Sequence, residues 1–157
     1  MGLVSKIFPG LAFRSLQDIK QGKLVGQLLE KVLVNETSAY IDVGCHRGEI
    51  LKMALKLAPK GEHFAFEAIP VYFNRLEKDF GKLVNLYHCA VTNFIGETSF
   101  NYVESNPMFS GIKKRDYPKS EKISEITIPT NTLDNALMDC PNTVSYTHLT
   151  LPTKVTV

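Results

Sequence analysis

The chain has 157 residues, 44% hydrophobic and 22% charged, a length that suits one domain or most of one and a composition that excludes wholesale disorder. Its 18 basic and 16 acidic residues leave a net charge of +2, too weak to argue for nucleic acid or an anionic membrane as partner. No apolar run approaches the length of a membrane span, and three sparse cysteines, Cys45, Cys89 and Cys140, point to a reducing, cytoplasmic setting and not to a disulfide framework.

The first expected element is a helix over Leu11 to Val34, where Leu16, Ile19, Leu24, Leu28 and Val32 recur at helical spacing. Gly22 and Gly26 weaken it. Asn35 to Ser38 is a polar break, so residues 1–38 read as an N-terminal helical segment. Ala39 to Val43 has the length of a buried strand and ends at Gly44. Glu49 to Ala58 is expected to be helical, with Ile50, Met53, Ala54 and Leu57 on one face, and Pro59-Lys60-Gly61 stops it. His63 to Glu67 is the second strand. Pro70 opens the next helix, in which Tyr72, Phe73, Leu76 and Phe80 form one apolar stripe, and Leu83 to Val91 is the third strand.

Strands alternating with helices across short connections predict an α/β fold with a doubly wound, mostly parallel sheet and right-handed crossovers. Beyond Val91 the rhythm changes. Thr98 to Val103 and Glu125 to Pro129 alternate in polarity around a long polar loop, Glu104 to Lys122, and are expected to form a β-hairpin arm attached to the sheet. Thr132-Leu133-Asp134 starts a short helix reaching Met138.

The segment that carries chemistry is Asp42-Val43-Gly44-Cys45-His46-Arg47-Gly48, between a strand and a helix. Ligands of open α/β sheets bind at the carboxyl ends of the strands. Gly44 permits a tight turn and the approach of a ligand to the backbone; Gly48 lets the helix pack closely. Asp42 is a carboxyl group at the end of an apolar strand, where it needs a donor: a ligand amine, a ligand hydroxyl, or the backbone N–H of a helix it caps. Glu67 ends the second strand at the spacing of a ribose-binding acid. The glycine spacing G-x-x-x-G departs from the dinucleotide fingerprint, and an acid just before the turn repels pyrophosphate. It attracts the cationic amino-acid end of S-adenosyl-L-methionine.

Four segments in order, Tyr40 to Gly48, Phe64 to Pro70, Cys89 to Thr98 and Ile128 to Leu137, resemble the FkbM family of S-adenosyl-L-methionine-dependent methyltransferases. The family shows D-V-G-A-N-x-G, F-E-P-x-P, a run like A-L-S-D-x-x-G-E, and T-L-D. His46 stands where the family usually has Asn, and Ala68 replaces the first Pro of the second motif. The resemblance implies a class I methyltransferase fold, Rossmann-like, and O-methylation of a hydroxyl on a small-molecule, glycan or lipid acceptor such as a sugar, lipid or secondary metabolite. It also implies a cofactor site that includes Cys45, His46 and Ala68 and in which Asp42, Gly44 and Gly48 line the methionine part. Glu67 would hold the ribose, Cys89 and Ala90 would lie near the adenine, and Ser110 would approach from the hairpin loop. No catalytic base can be named from it. The alternatives are a nicotinamide-dependent Rossmann enzyme and an inactive fragment. No metal site is expected, since Cys45, His46, His88 and Cys89 lack ligand spacing and the second strand should separate the two pairs.

Val144 to Thr153 resembles one reading frame of a transposase adapter used in sequencing libraries. Residues 143–157 are therefore expected to be a non-native tail. The methyltransferase domain over 39–142 is expected to be partial, its sheet incomplete at the C-terminus and its catalysis weak or absent. In the family, T-L-D is followed by a strand resembling I-K-I-D-V-E-G.

Overall fold

A computed structural model describes residues 16–115 and 121–138 of the chain. The start of the expected first helix, Cys140 and the tail 143–157 lie outside these residues.

The elements run α1 (Leu16–Val32), β1 (Tyr40–Val43), α2 (Glu49–Leu57), β2 (His63–Phe66), α3 (Pro70–Phe80) and β3 (Asn85–Tyr87). They continue as β4 (Ala90–Val91), β5 (Gly96–Val103), a 3-10 turn (Pro107–Phe109), β6 (Ile123–Asn131) and α4 (Leu133–Ala136). β1, β2 and β3 pair in parallel in that order, with Asp42 beside Ala65 and Phe66 beside Tyr87. This is the α/β arrangement that the alternation of the sequence predicts.

The period of two along each strand sorts the core into two faces. Tyr40, Ala65 and Leu86 face the helices, where they meet Leu29 within α1 and Leu33 just after it, Leu51 and Ala54 of α2, and Leu76 of α3. The three helices thus share one face. Ile41, Phe64 and Phe66 face the other way, against Cys89, Leu133, Ala136 and Leu137. Leu51, Leu76 and Phe66 are at most 1% exposed, and full burial of such a side chain stabilises by about 1.5–3 kcal/mol each.

The third strand is shorter than the expected Leu83 to Val91. The Leu83 and Val84 amides donate to the Phe80 carbonyl at 2.7 and 3.2 Å, closing the end of α3, so they are not available to a ladder. The chain also breaks at His88-Cys89, and Ala90–Val91 joins a second sheet in the order β4-β6-β5. There β4 and β6 are parallel while β5 and β6 form the antiparallel arm, Phe100 beside Ile126 and Thr98 beside Ile128. The arm is not an extension of the first sheet. It packs Phe100, Ile128 and Tyr102 onto Ala68, Ile69 and Tyr72 at the start of α3.

The expected stripe on α3 is likewise divided. Leu76 and Phe80 join the helix-side core and Tyr72 meets the arm. Phe73 stacks on His88, ring centroids 4.5 Å apart. Thr132 starts α4 as expected, its hydroxyl accepting the Asn135 amide at 3.1 Å. No helix among the described residues is long and apolar enough to cross a membrane.

Candidate functional site

The ends of β1 and β2 are drawn together by backbone. The Gly44 and Cys45 amides both donate to the Phe66 carbonyl, at 2.8 and 3.2 Å, and the Gly48 amide donates to the Cys45 carbonyl at 2.7 Å. Gly44, His46 and Gly48 have φ of 78°, 50° and 71°. Three left-handed residues in five turn the chain sharply from the strand into α2. Glycine accepts this conformation freely, and histidine is among the side chains that tolerate it.

The two glycines serve different purposes. A Cβ at Gly48 would stand 2.6 Å from Phe80 Cε2 and 2.7 Å from Leu76 Cδ2, so this position seats the loop directly on α3. A Cβ at Gly44 would meet nothing within 4 Å. Gly44 is exposed, and its backbone can be approached from outside.

Asp42 lies beneath this bend, 6% exposed. Burial, then the neighbouring Glu67 carboxyl, push its pKa up to about 7, against a backbone hydrogen bond from Leu51 in the first turn of α2. Its Oδ2 is buried without a hydrogen-bond partner. Asp42 therefore caps the helix with one part of its carboxyl and leaves a buried acceptor orphaned, an arrangement that costs free energy until a donor arrives.

Glu67 is 4% exposed. Its Oε2 accepts the His46 amide at 2.7 Å and its Oε1 accepts the Ile69 amide at 2.8 Å. Burial raises its pKa, while the amides of Ile69, His46 and Ala68 work to lower it. The carboxyl group thus ties the β1–α2 loop to the β2–α3 loop. The sequence presents Glu67 as an open ribose acceptor; in the fold each oxygen already holds one backbone donor.

The other candidate residues divide. Cys45 is buried, its thiol donating to the Phe66 carbonyl at 3.4 Å, and burial together with Asp42 and Glu67 raises its pKa. His46 packs its ring on Tyr72, centroids 4.0 Å apart, with Nε2 buried and unpartnered. Burial, then Arg47 and Arg75, bring its pKa down to about 4. Ala68 and Ala90 both belong to the cluster under the arm, and Cys89 lies on the opposite face of the sheet from Cys45. Both alanines and Cys89 therefore flank the end of β2. Ser110 belongs elsewhere: its hydroxyl accepts the Val103 amide at 2.9 Å within the arm, and the structure does not bring it to the Asp42–Glu67 pair. Among the described residues no group of three His, Cys, Asp or Glu side chains could hold a metal ion.

Sequence reasoning missed the rim. Tyr72 and Arg75 of α3 and Arg47 of the β1–α2 loop flank His46, and Tyr102 of β5 adjoins Tyr72. Tyr72 read as part of an apolar stripe, yet its i,i+3 relation to Arg75 on α3 was the available signal.

The fit of S-adenosyl-L-methionine can be judged on these groups. An orphaned buried carboxyl oxygen and an open left-handed glycine suit a ligand that brings a cation or a hydroxyl to the end of β1. The residues present fit it.

No protein-family model matches the sequence, and no curated protein matches it. Solved structures similar to the chain include a precorrin-6y C5,15-methyltransferase from Geobacter metallireducens, with 22% identity over 43% of this chain and 38% of that one, TM-score 0.37. A plantazolicin methyltransferase solved with SAH matches with 15% identity over 47% of this chain and 30% of that one, TM-score 0.39. The methyltransferase FkbM from Methylobacillus flagellatus matches with 12% identity over 65% of this chain and 23% of that one, TM-score 0.40. The chain thus spans well under half the length of each.

Proposed function

We propose that the chain binds S-adenosyl-L-methionine at the carboxyl ends of β1 and β2 and is the cofactor-binding part of a methyltransferase. The observation that carries this reading is the buried, unpartnered Oδ2 of Asp42 beneath the open Gly44. A cation brought there would ionise Asp42 and satisfy it. Gly44, Cys45, His46 and Gly48 would shape the wall around the amino-acid end. Glu67 would hold the two loops in register and use its remaining lone pairs toward the ribose, beside Ala68. Cys89 and Ala90, flanking the end of β2, are the adenine-side candidates.

When bound, S-adenosyl-L-methionine supplies an electrophilic methyl group on a sulfonium. The acceptor is read as a hydroxyl on a sugar, lipid or secondary metabolite, and the setting as cytoplasmic, on the family resemblance of the four segments. The chain's own part is to bind, to orient and to exclude water from the charged end of the cofactor, and such positioning supplies much of the acceleration in group transfer.

A nicotinamide dinucleotide is the competing ligand. Against it, the first turn of α2, where a pyrophosphate would seat, already meets the Asp42 carboxyl through Leu51. Thermal unfolding separates the two. Millimolar S-adenosylhomocysteine should raise the midpoint, as any ligand of the folded state does, and NAD should leave it in place. A shift with NAD alone would reject the proposal.

A further inference from the structure

We infer that the acceptor molecule carries an oxyanion, held on Arg47 and Arg75 beside Tyr72 at the rim of the site. This deepens the reading of the Asp42–Glu67 pair as a cofactor site and rests on it. The placement starts from geometry. The His46 ring lies 4.0 Å from the Tyr72 ring. Arg47 follows His46 directly and lies close enough to the Tyr72 phenol to lower its pKa against the effect of burial. Arg75 stands three residues after Tyr72 on α3, hence on the same side of the helix. Tyr102 of β5 packs into the cluster that holds Tyr72. The imidazole thus lies against the Tyr72 ring with the charges of Arg47 and Arg75 both felt at it, and Tyr102 adjoins Tyr72 from the arm.

Charge is divided across the bend. The carboxyl groups of Asp42 and Glu67 lie inside, buried, and the guanidinium groups lie outside, exposed. Among the described residues Arg47 has no carboxylate within ion-pair distance. Arg75 reaches only Asp79, through Nε at 3.7 Å with both side chains more than half exposed, a contact of small worth. Both side chains are exposed, and the planar guanidinium fork suits a carboxylate or a phosphate. The His46 ring between them stays neutral in ordinary buffers, so the positive charge here is that of the two arginines. An acceptor with an anionic group next to its hydroxyl would meet the basic rim while the cationic cofactor meets the acidic floor.

The test titrates the chain with inorganic phosphate and, separately, with acetate. Amide NMR shifts are followed against sodium chloride of equal ionic strength. Saturable shifts at His46, Arg47 and Tyr72 in the millimolar range are expected with one or both anions. A stronger response to phosphate would assign a phosphorylated acceptor, and a stronger response to acetate a carboxylated one. Arg47→Gln with Arg75→Gln should weaken that binding at least tenfold, each fork contributing charge-assisted bonds, and Arg47→Lys with Arg75→Lys should restore part of it. S-adenosylhomocysteine affinity should stay within about twofold in the same variants. Shifts that only track ionic strength would overturn the inference. So would a tenfold loss of S-adenosylhomocysteine affinity in Arg47→Gln, which would give the arginine to the cofactor's carboxylate. Anion binding without any S-adenosylhomocysteine binding would remove the cofactor reading and leave the anion site standing.

Discussion

The Glu67 carboxyl group accepts the His46 amide at 2.7 Å from across the sheet end and the Ile69 amide at 2.8 Å from its own loop. One buried side chain thereby fixes the left-handed conformation of His46 and the entry of the chain into α3. Removing it leaves two donors without partners. Glu67→Ala should cost about 2–4 kcal/mol in urea unfolding, since each buried unsatisfied group costs about 1–3 kcal/mol. Glu67→Gln keeps an acceptor oxygen for one amide and should cost about half as much. Equal losses in both variants would show that the carboxyl group is not the tie.

Gly44 and Gly48 share a positive φ but differ in what surrounds them. An L side chain in this region costs about 1–2 kcal/mol. Gly48→Ala adds contact with Phe80 and Leu76 at under 3 Å, and overpacking of that kind costs about 1–3 kcal/mol more. Gly44→Ala should therefore be the milder change in thermal unfolding and the more harmful one for S-adenosylhomocysteine binding, by tenfold or more. The reverse ranking would move the ligand away from Gly44.

Asp42 gives the site a pH dependence of definite sign. In the fold its pKa is pushed up to about 7, above the ordinary aspartate value of 3.8, so between these values the folded chain holds a proton that the unfolded chain has lost. Its contribution to stability is complete below pH 4 and is lost as pH rises through 7, with a slope of up to about 1.4 kcal/mol per unit. His46, with its pKa lowered, acts in the opposite sense below its ordinary range, so the curve of the parent chain is flattened there. The comparison with Asp42→Asn isolates the carboxyl group: the variant should gain on the parent steadily between pH 4 and pH 7. A constant difference would mean that Asp42 titrates normally. A cationic ligand requires the ionised form, so its affinity should rise over the same window.

Cys45 and Cys89 are each 7% exposed, and burial is the first cause raising both pKa values. Neither should react with iodoacetamide at pH 8 until denaturant opens the fold, as peptide mass spectrometry would record. Labelling of Cys45 in the native chain would place a reactive thiol in the candidate site.

Much of this was legible in the sequence, for local reasons. The bend at Asp42 to Gly48 could be read because turn glycines and a strand-end acid report backbone geometry directly, and the α/β alternation because periodicity is a local property. The role of Glu67 could not. A ribose-spaced acid and a loop tie look the same until the partner amide, 21 residues away in His46, is brought beside it. The arginine rim was hidden for the same reason, since Arg47 and Arg75 act on the same imidazole only through the packing of α3 against the bend. The late start of β3 at Asn85 depended on how α3 closes its last turn, which the apolar run from Leu83 conceals.

Isothermal titration of the parent chain and Asp42→Asn with S-adenosylhomocysteine and S-adenosylmethionine at pH 8 decides whether Asp42 holds the ligand. Both ligands share the cationic amino-acid end, so both should bind the parent and lose at least tenfold in the variant. Equal affinity of parent and variant for both ligands, or no binding by the parent at millimolar ligand, would contradict the assignment.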